Sequence, residues 1–126
     1  MTYTPCKGAC LPRLVGSAYK PSGQDAFLYS GGAMIDLGTL GDGTSGCARS
    51  INNAGWIVGQ SYRSGGTNHH SFLYRDGVMT DLGTFGGDGS EALDINSAGD
   101  IVGEILVNGS NQVRLQLHVL AYNLGI

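Results

Sequence analysis

Charge is scarce in this chain: only 13% of its 126 residues are Asp, Glu, Lys or Arg, against about a quarter in ordinary soluble domains. The seven basic residues are scattered and the net charge is −3, which leaves no electropositive footprint for nucleic acid or an anionic membrane surface. Long hydrophobic runs are also missing. None approaches the ~18 residues that a membrane span requires, and Met1 to Pro12 lacks the basic region and apolar stretch of an export signal. The chain as given is therefore expected to be soluble, with any export signal removed or never present. Apolar residues at i, i+3, i+4 and i+7 nowhere persist for three turns, so helix should be nearly absent. Neither Gly-x-Ser-x-Gly nor Gly-x-x-x-x-Gly-Lys-Ser/Thr occurs, and the glycine-rich segments lie between expected strands, where no helix can receive a phosphate. Those absences disfavour an enzyme.

Cysteine is nearly as sparse. Cys6 and Cys10, separated by Lys7-Gly8-Ala9, either close a small loop in an oxidising compartment and leave Cys47 odd, or all three remain free thiols. A zinc site would need a second Cys or His pair at suitable spacing, and the adjacent His69 and His70 suit one face of a strand poorly. Asp94 to Asp100 resembles the start of a calcium loop, but its fifth position is Ala98 and its twelfth is Ile105, neither of which supplies a side-chain oxygen. No metal and no cofactor is expected.

Glycine, by contrast, is abundant at 22 residues, and with hydrophobic content of 41% it punctuates a folded β-rich chain rather than a disordered one. The organising feature is repetition. Ile51-Asn52-Asn53-Ala54-Gly55 returns as Ile95-Asn96-Ser97-Ala98-Gly99, and Ile57-Val58-Gly59 as Ile101-Val102-Gly103, both at an offset of 44 residues. Leu14-Val15-Gly16 adds a third copy of the second strand. The block from Ala26 to Gly41 returns as Ser71 to Gly86 at an offset of 45, and the one-residue difference is expected between Gly41 and Ala48, in a loop that tolerates it. Each full unit should hold four short strands, here 47–51, 56–62, 71–74 and 78–82, joined by polar, Gly-closed turns. Residues 1–13 read as an arm or degenerate strand. Residues 14–126 read as the repeat domain: a partial unit 14–44, a full unit 45–88 and a degenerate last unit 89–126, where Val113 to Val119 alternates with period two and Tyr122-Asn123-Leu124-Gly125 echoes Thr80-Asp81-Leu82-Gly83. Four strands per ~45 residues is the size of a propeller blade.

Ala26-Phe27-Leu28-Tyr29, Met34-Ile35-Asp36-Leu37-Gly38-Thr39-Leu40-Gly41 and the Ile51 to Gly59 block resemble the HAF-repeat family of extracellular bacterial repeat proteins. The His-Ala-Phe triplet that names the family reads Asp25-Ala26-Phe27 in one copy and His70-Ser71-Phe72 in the next. The resemblance covers Leu14 to Leu106 and implies a secreted or cell-surface, β-propeller-like protein with no catalytic residues to carry over. The fold expectation is thus all-β, with about three four-stranded antiparallel blades per chain. Propellers have four to eight blades, so an arc of three exposes sheet faces that need covering. Self-association completing a ring is the first expectation, with a dimer of six blades preferred. A fragment of a longer protein is the second.

Residues copied between units read as scaffold: Asp36 and Asp81 should accept backbone N–H bonds beside Leu-Gly, and Asn52 and Asn96 should form turns. Residues that depart from the repeat are the candidates for binding. Trp56 replaces Asp100 beside a turn glycine, and its indole could stack on a sugar ring while Arg63, Asn68 and His69 meet the hydroxyls; the competing reading packs Trp56 against the next unit. His70 lies where the family pattern places a His and reads as structural. The leading expectation is a non-catalytic module that binds carbohydrate or protein, or that assembles. A propeller-type hydrolase or lyase acting on polysaccharide, with Asp25, Asp88 and Glu91 as its acids, is one alternative, and a purely structural segment is another.

Overall fold

A computed structural model describes residues 13–21, 23–41, 43, 45–63, 68–107 and 111–118. They form ten strands: β1 (Leu14–Lys20), β2 (Gly23–Ser30), β3 (Ala33–Gly38), β4 (Gly46–Ile51), β5 (Ile57–Tyr62), β6 (His69–Arg75), β7 (Val78–Gly83), β8 (Gly89–Ile95), β9 (Asp100–Val107) and β10 (Asn111–His118). The strands make three antiparallel sheets, ordered β1-β2-β3, β4-β5-β6-β7 and β8-β9-β10. Among the described residues there is no helix, and so none long and apolar enough to cross a membrane. The Cys6–Cys10 question and the Tyr122 to Gly125 echo lie outside the described residues.

The repeat is visible in backbone detail. Asn52 Oδ1 accepts from the N–H groups of Ala54 (3.0 Å) and Trp56 (2.9 Å), and Asn96 Oδ1 accepts from Ala98 (3.0 Å) and Asp100 (2.9 Å). The turn then closes through Gly55 and Gly99, at φ +88° and +89°, a conformation that glycine adopts without a Cβ penalty. Trp56 belongs to this turn and not to β5, because both its N–H and its C=O bond to Asn52. Gly31-Gly32 and Asp76-Gly77 connect β2 to β3 and β6 to β7 with both residues at positive φ, as a two-residue hairpin turn of the right twist demands.

Two bulges recur as well. On β3 and β7 the ladder shifts register beside Leu37 and Leu82, and both leucines are buried. Asp36 and Asp81 stabilise that kink: each Oδ1 accepts the N–H of the following glycine, Gly38 at 2.8 Å and Gly83 at 2.7 Å. The Asp-Leu-Gly triplet is therefore a device for turning a leucine into the core. On β4 and β8 the shift leaves Arg49 and Leu93 as the extra residues, opposite Gly59 and Gly103. A Cβ on Gly59 would overlap Cys47 O and stand 2.9 Å from Ala48 Cα, and one on Gly103 would meet Glu91 O and Ala92 Cα in the same way.

The single-residue change of offset falls earlier than the sequence suggested. The turns that close Gly43 N onto Leu40 O and Gly87 N onto Thr84 O, both at 2.9 Å, are equivalent at an offset of 44, so the shift has already occurred before Leu40. Geometry decides this, since a hydrogen-bonded turn keeps its shape while the segment before it absorbs the extra residue. As a result Gly41 (φ +53°) and Phe85 (φ +54°) occupy the same left-handed position, and Phe85 is exposed whereas Leu40 is buried.

Alternation along the strands gives the middle sheet two apolar faces. Ile57 and Phe72 point to one side and join Ala26, Leu37 and Leu40 of the first sheet, with Tyr74 and Met79 packed against the cluster. Val58, Leu73 and Leu82 point to the other and join Ala92, Ile95 and Ile101 of the third. Both joints therefore use the same pair of faces in the same order. Polar bonds between equivalent residues fix the stacking at the second joint: Ser50 Oγ donates to Asp94 Oδ1 at 2.8 Å and Asn52 Nδ2 to Asn96 O at 3.1 Å. Buried Ser90 adds a link, accepting from Ser71 N–H at 2.9 Å and donating to Gly83 O at 2.6 Å.

Candidate ligand-binding site

The connection from β5 to β6 carries three of the four residues singled out for binding. Arg63 stands exposed just after β5, Asn68 is half-buried just before β6, and His69 opens β6. Trp56 is elsewhere. It lies in the turn just before β5, and seven residue steps at ~3.3 Å each put it about 23 Å from Arg63. Its indole packs against the cluster between the second and third sheets, and the Arg75 guanidinium lies 4.4 Å from the ring centroid, a cation–π contact that occupies one face of the ring.

Because successive strand residues point to opposite faces, His69 and His70 serve different partners. His70 Nδ1 lies 3.0 Å and 3.1 Å from the two oxygens of Asp81, to which Arg63 Nη1 also donates at 2.9 Å. Burial pushes the Asp81 carboxyl up, but the Gly83 N–H, the His70 ring and the Arg63 guanidinium outweigh it and hold the group below the usual carboxylate range. His69 reaches toward the third sheet, with Nδ1 at 3.2 Å from Ser90 O and Nε2 at 3.2 Å from Glu91 Oε2. An Nδ1–H donates to the carbonyl, so the second contact is a hydrogen bond only when the ring carries both protons. Tyr62 meets His69 edge to face with centroids 5.3 Å apart, and Arg49 brings Nη2 to 3.9 Å from Glu91 Oε1 while its Nε donates to Gln60 at 3.1 Å.

The first sheet repeats the first of these arrangements with different residues. Lys20, Asp25 and Asp36 stand where Arg63, His70 and Asp81 stand, with Lys20 Nζ at 2.6 Å from Asp25 and 3.6 Å from Asp36. The hydrogen bond to Asp25 leads in raising the Lys20 pKa above its ordinary value. For Asp36, burial pushes upward and is outweighed by the Gly38 N–H and the Lys20 ammonium, for a net lowering. An open cleft of about 240 Å3 lies here, lined among others by Lys20, Asp25, Phe27, Met34 and Asp36.

The candidate acids are not brought together: Asp25 is on the first sheet and Glu91 on the third, with the middle sheet between them, and Asp88 sits in the loop before β8. Among the described residues no group of three His, Cys, Asp or Glu is placed to hold a metal ion, and Cys47 is a half-buried free thiol. Arg49 departs from the repeat, its counterpart being Leu93, and that difference is the signal that could have found it; the bulge that places it is shared by both copies and leaves no trace in their alignment. No family model, curated protein or solved structure matches the chain.

Proposed function

We propose that the chain is a non-catalytic, extracellular repeat module of β-propeller-like build that binds a carbohydrate or protein ligand and completes its ring by self-association, as a dimer. The observation that carries the reading is where the departures from the repeat fall. The turns and bulges that recur are consumed by scaffold hydrogen bonds, whereas His69 meets Tyr62 and Glu91, with Arg49 on the same carboxylate, on one face of the β5–β6 connection, and Arg63 stands exposed on the other face beside Asp81. An imidazole held beside an aromatic ring and a carboxylate, with an exposed guanidinium and an amide flanking the same connection, suits hydroxyl-rich or polar ligands, which are recognised by a few well-placed polar groups. Trp56 forms a separate second locus at the far end of β5. The propeller-like build is supported by consecutive sheets that stack in the same order, and the extracellular placement by the resemblance to HAF repeats.

A glycan array followed by titration tests the binding reading. Binding that falls at least tenfold in Arg63→Ala and His69→Ala, with thermal stability little changed, is the expected result. Binding unaffected by both changes but lost in Trp56→Phe would move the site to the other end of β5. Loss of polysaccharide viscosity over time would replace binding with turnover.

A further inference from the structure

The two joints inside the chain define which surface covers which. Ile57, Phe72, Tyr74 and Met79 of the middle sheet are packed by Leu37 and Leu40 of the sheet before. The same positions of the first sheet hold Leu14, Phe27, Tyr29 and Met34, and there Leu14, Tyr29 and Met34 are exposed, at 60%, 40% and 61%. At the other end, Val58 of the middle sheet is fully buried against the third sheet, while its counterpart Val102 is 40% exposed. One end of the stack thus presents the face that elsewhere receives a sheet, and the other presents the face that elsewhere covers one. The cleft beside Phe27 and Met34 falls on the positions that Leu37 and Leu40 cover in the middle sheet.

We infer that a second copy of this chain docks head to tail, the Val102 face of one copy lying on the Leu14–Tyr29–Met34 face of the next in the same manner as the two internal joints. The inference rests on the self-association part of the proposed function and specifies its geometry. The Leu14–Tyr29–Met34 face is an apolar patch of the kind that marks association in soluble proteins, and a head-to-tail contact closes into a ring when its rotation permits. Two chains closing a ring make this joint twice. The alternative, in which identical faces meet, would pair two receiving faces that never meet inside the chain.

Complementation between blocked copies tests this. Sedimentation equilibrium of the unaltered chain is expected to give a closed dimer. Met34→Asp blocks the receiving face and Val102→Asp the covering face; both positions are exposed, and Tyr29→Asp and Val102→Lys serve as second variants should either fail to melt like the parent. Each variant alone is expected to dissociate at least tenfold more readily. An equimolar mixture is expected to form a heterodimer held by one unblocked joint. A dimer that survives one of the two changes, with no gain on mixing, overturns the head-to-tail geometry while leaving self-association standing. A monomeric parent at all concentrations overturns self-association itself.

Discussion

In the middle sheet Ile57 and Phe72 are fully buried, and Tyr74 and Met79 pack on the cluster they share with the sheet before. In the first sheet the matching residues Leu14, Phe27, Tyr29 and Met34 are of the same type, lie on the same face, and are half-buried or exposed. Burial in this molecule is therefore conferred by a neighbouring sheet and not by a strand's own sequence. The same contrast holds for the glycines: Gly59 and Gly103 are pressed by the bulged strand beside them, whereas a Cβ on Gly16 would meet only the Phe27 ring, at 3.2 Å.

The sharpest way to break this comparison is to truncate the same ring in both sheets. Phe72→Ala removes a fully buried side chain and should cost about 4 kcal/mol. Phe27→Ala, measured by urea unfolding at concentrations where copies do not associate, should cost about 1 kcal/mol. Equal losses would mean that the first sheet's face is covered within the chain after all. The glycine pair follows. Gly59→Ala forces apart two paired strands and should cost about 3 kcal/mol, while Gly16→Ala should stay within about 1 kcal/mol of the parent; a benign Gly59→Ala would remove the close approach at the bulge.

The smallest effect concerns acid. Asp81 has its pKa lowered in the folded state, so the unfolded chain takes up the proton first, and the stability this carboxylate contributes is present above about pH 4 and is lost as pH falls below it. Asp81→Asn should flatten that part of the acid transition in thermal melts between pH 2 and 5. Asp36→Asn should change it less, because the Asp36 side chain is 58% exposed and solvent screens its pairing with Lys20. A larger effect at Asp36 would reverse the ranking of the two sheets.

Much of the architecture was legible in the residues. The Asn-x-Ala-Gly turn follows from an amide that bonds its own backbone and a glycine at positive φ, and the Asp-Leu-Gly triplet from a carboxylate that accepts the N–H two residues on. The bulges were not legible, because register is set across strands and identical copies shift together. That hid the placement of Arg49, and it also hid the true place of the offset change, which leaves Phe85 in a left-handed position occupied by Gly41 in the other unit. Grouping Trp56 with Arg63 overlooked a whole extended strand between them. Side-chain alternation, applied to His69 and His70, already separates the two rings onto opposite faces.

The central claim is that the sheets stack in sequence order, each through the same pair of faces. Methyl nuclear Overhauser contacts on a selectively labelled sample test it most directly. The account predicts cross-peaks from Val58 and Leu73 to Ala92 and Ile101, and separately from Leu37 and Leu40 to Ile57, at concentrations low enough to exclude contacts between copies. Cross-peaks joining Val58 or Leu73 to Leu37, with none to Ala92 or Ile101, would contradict it.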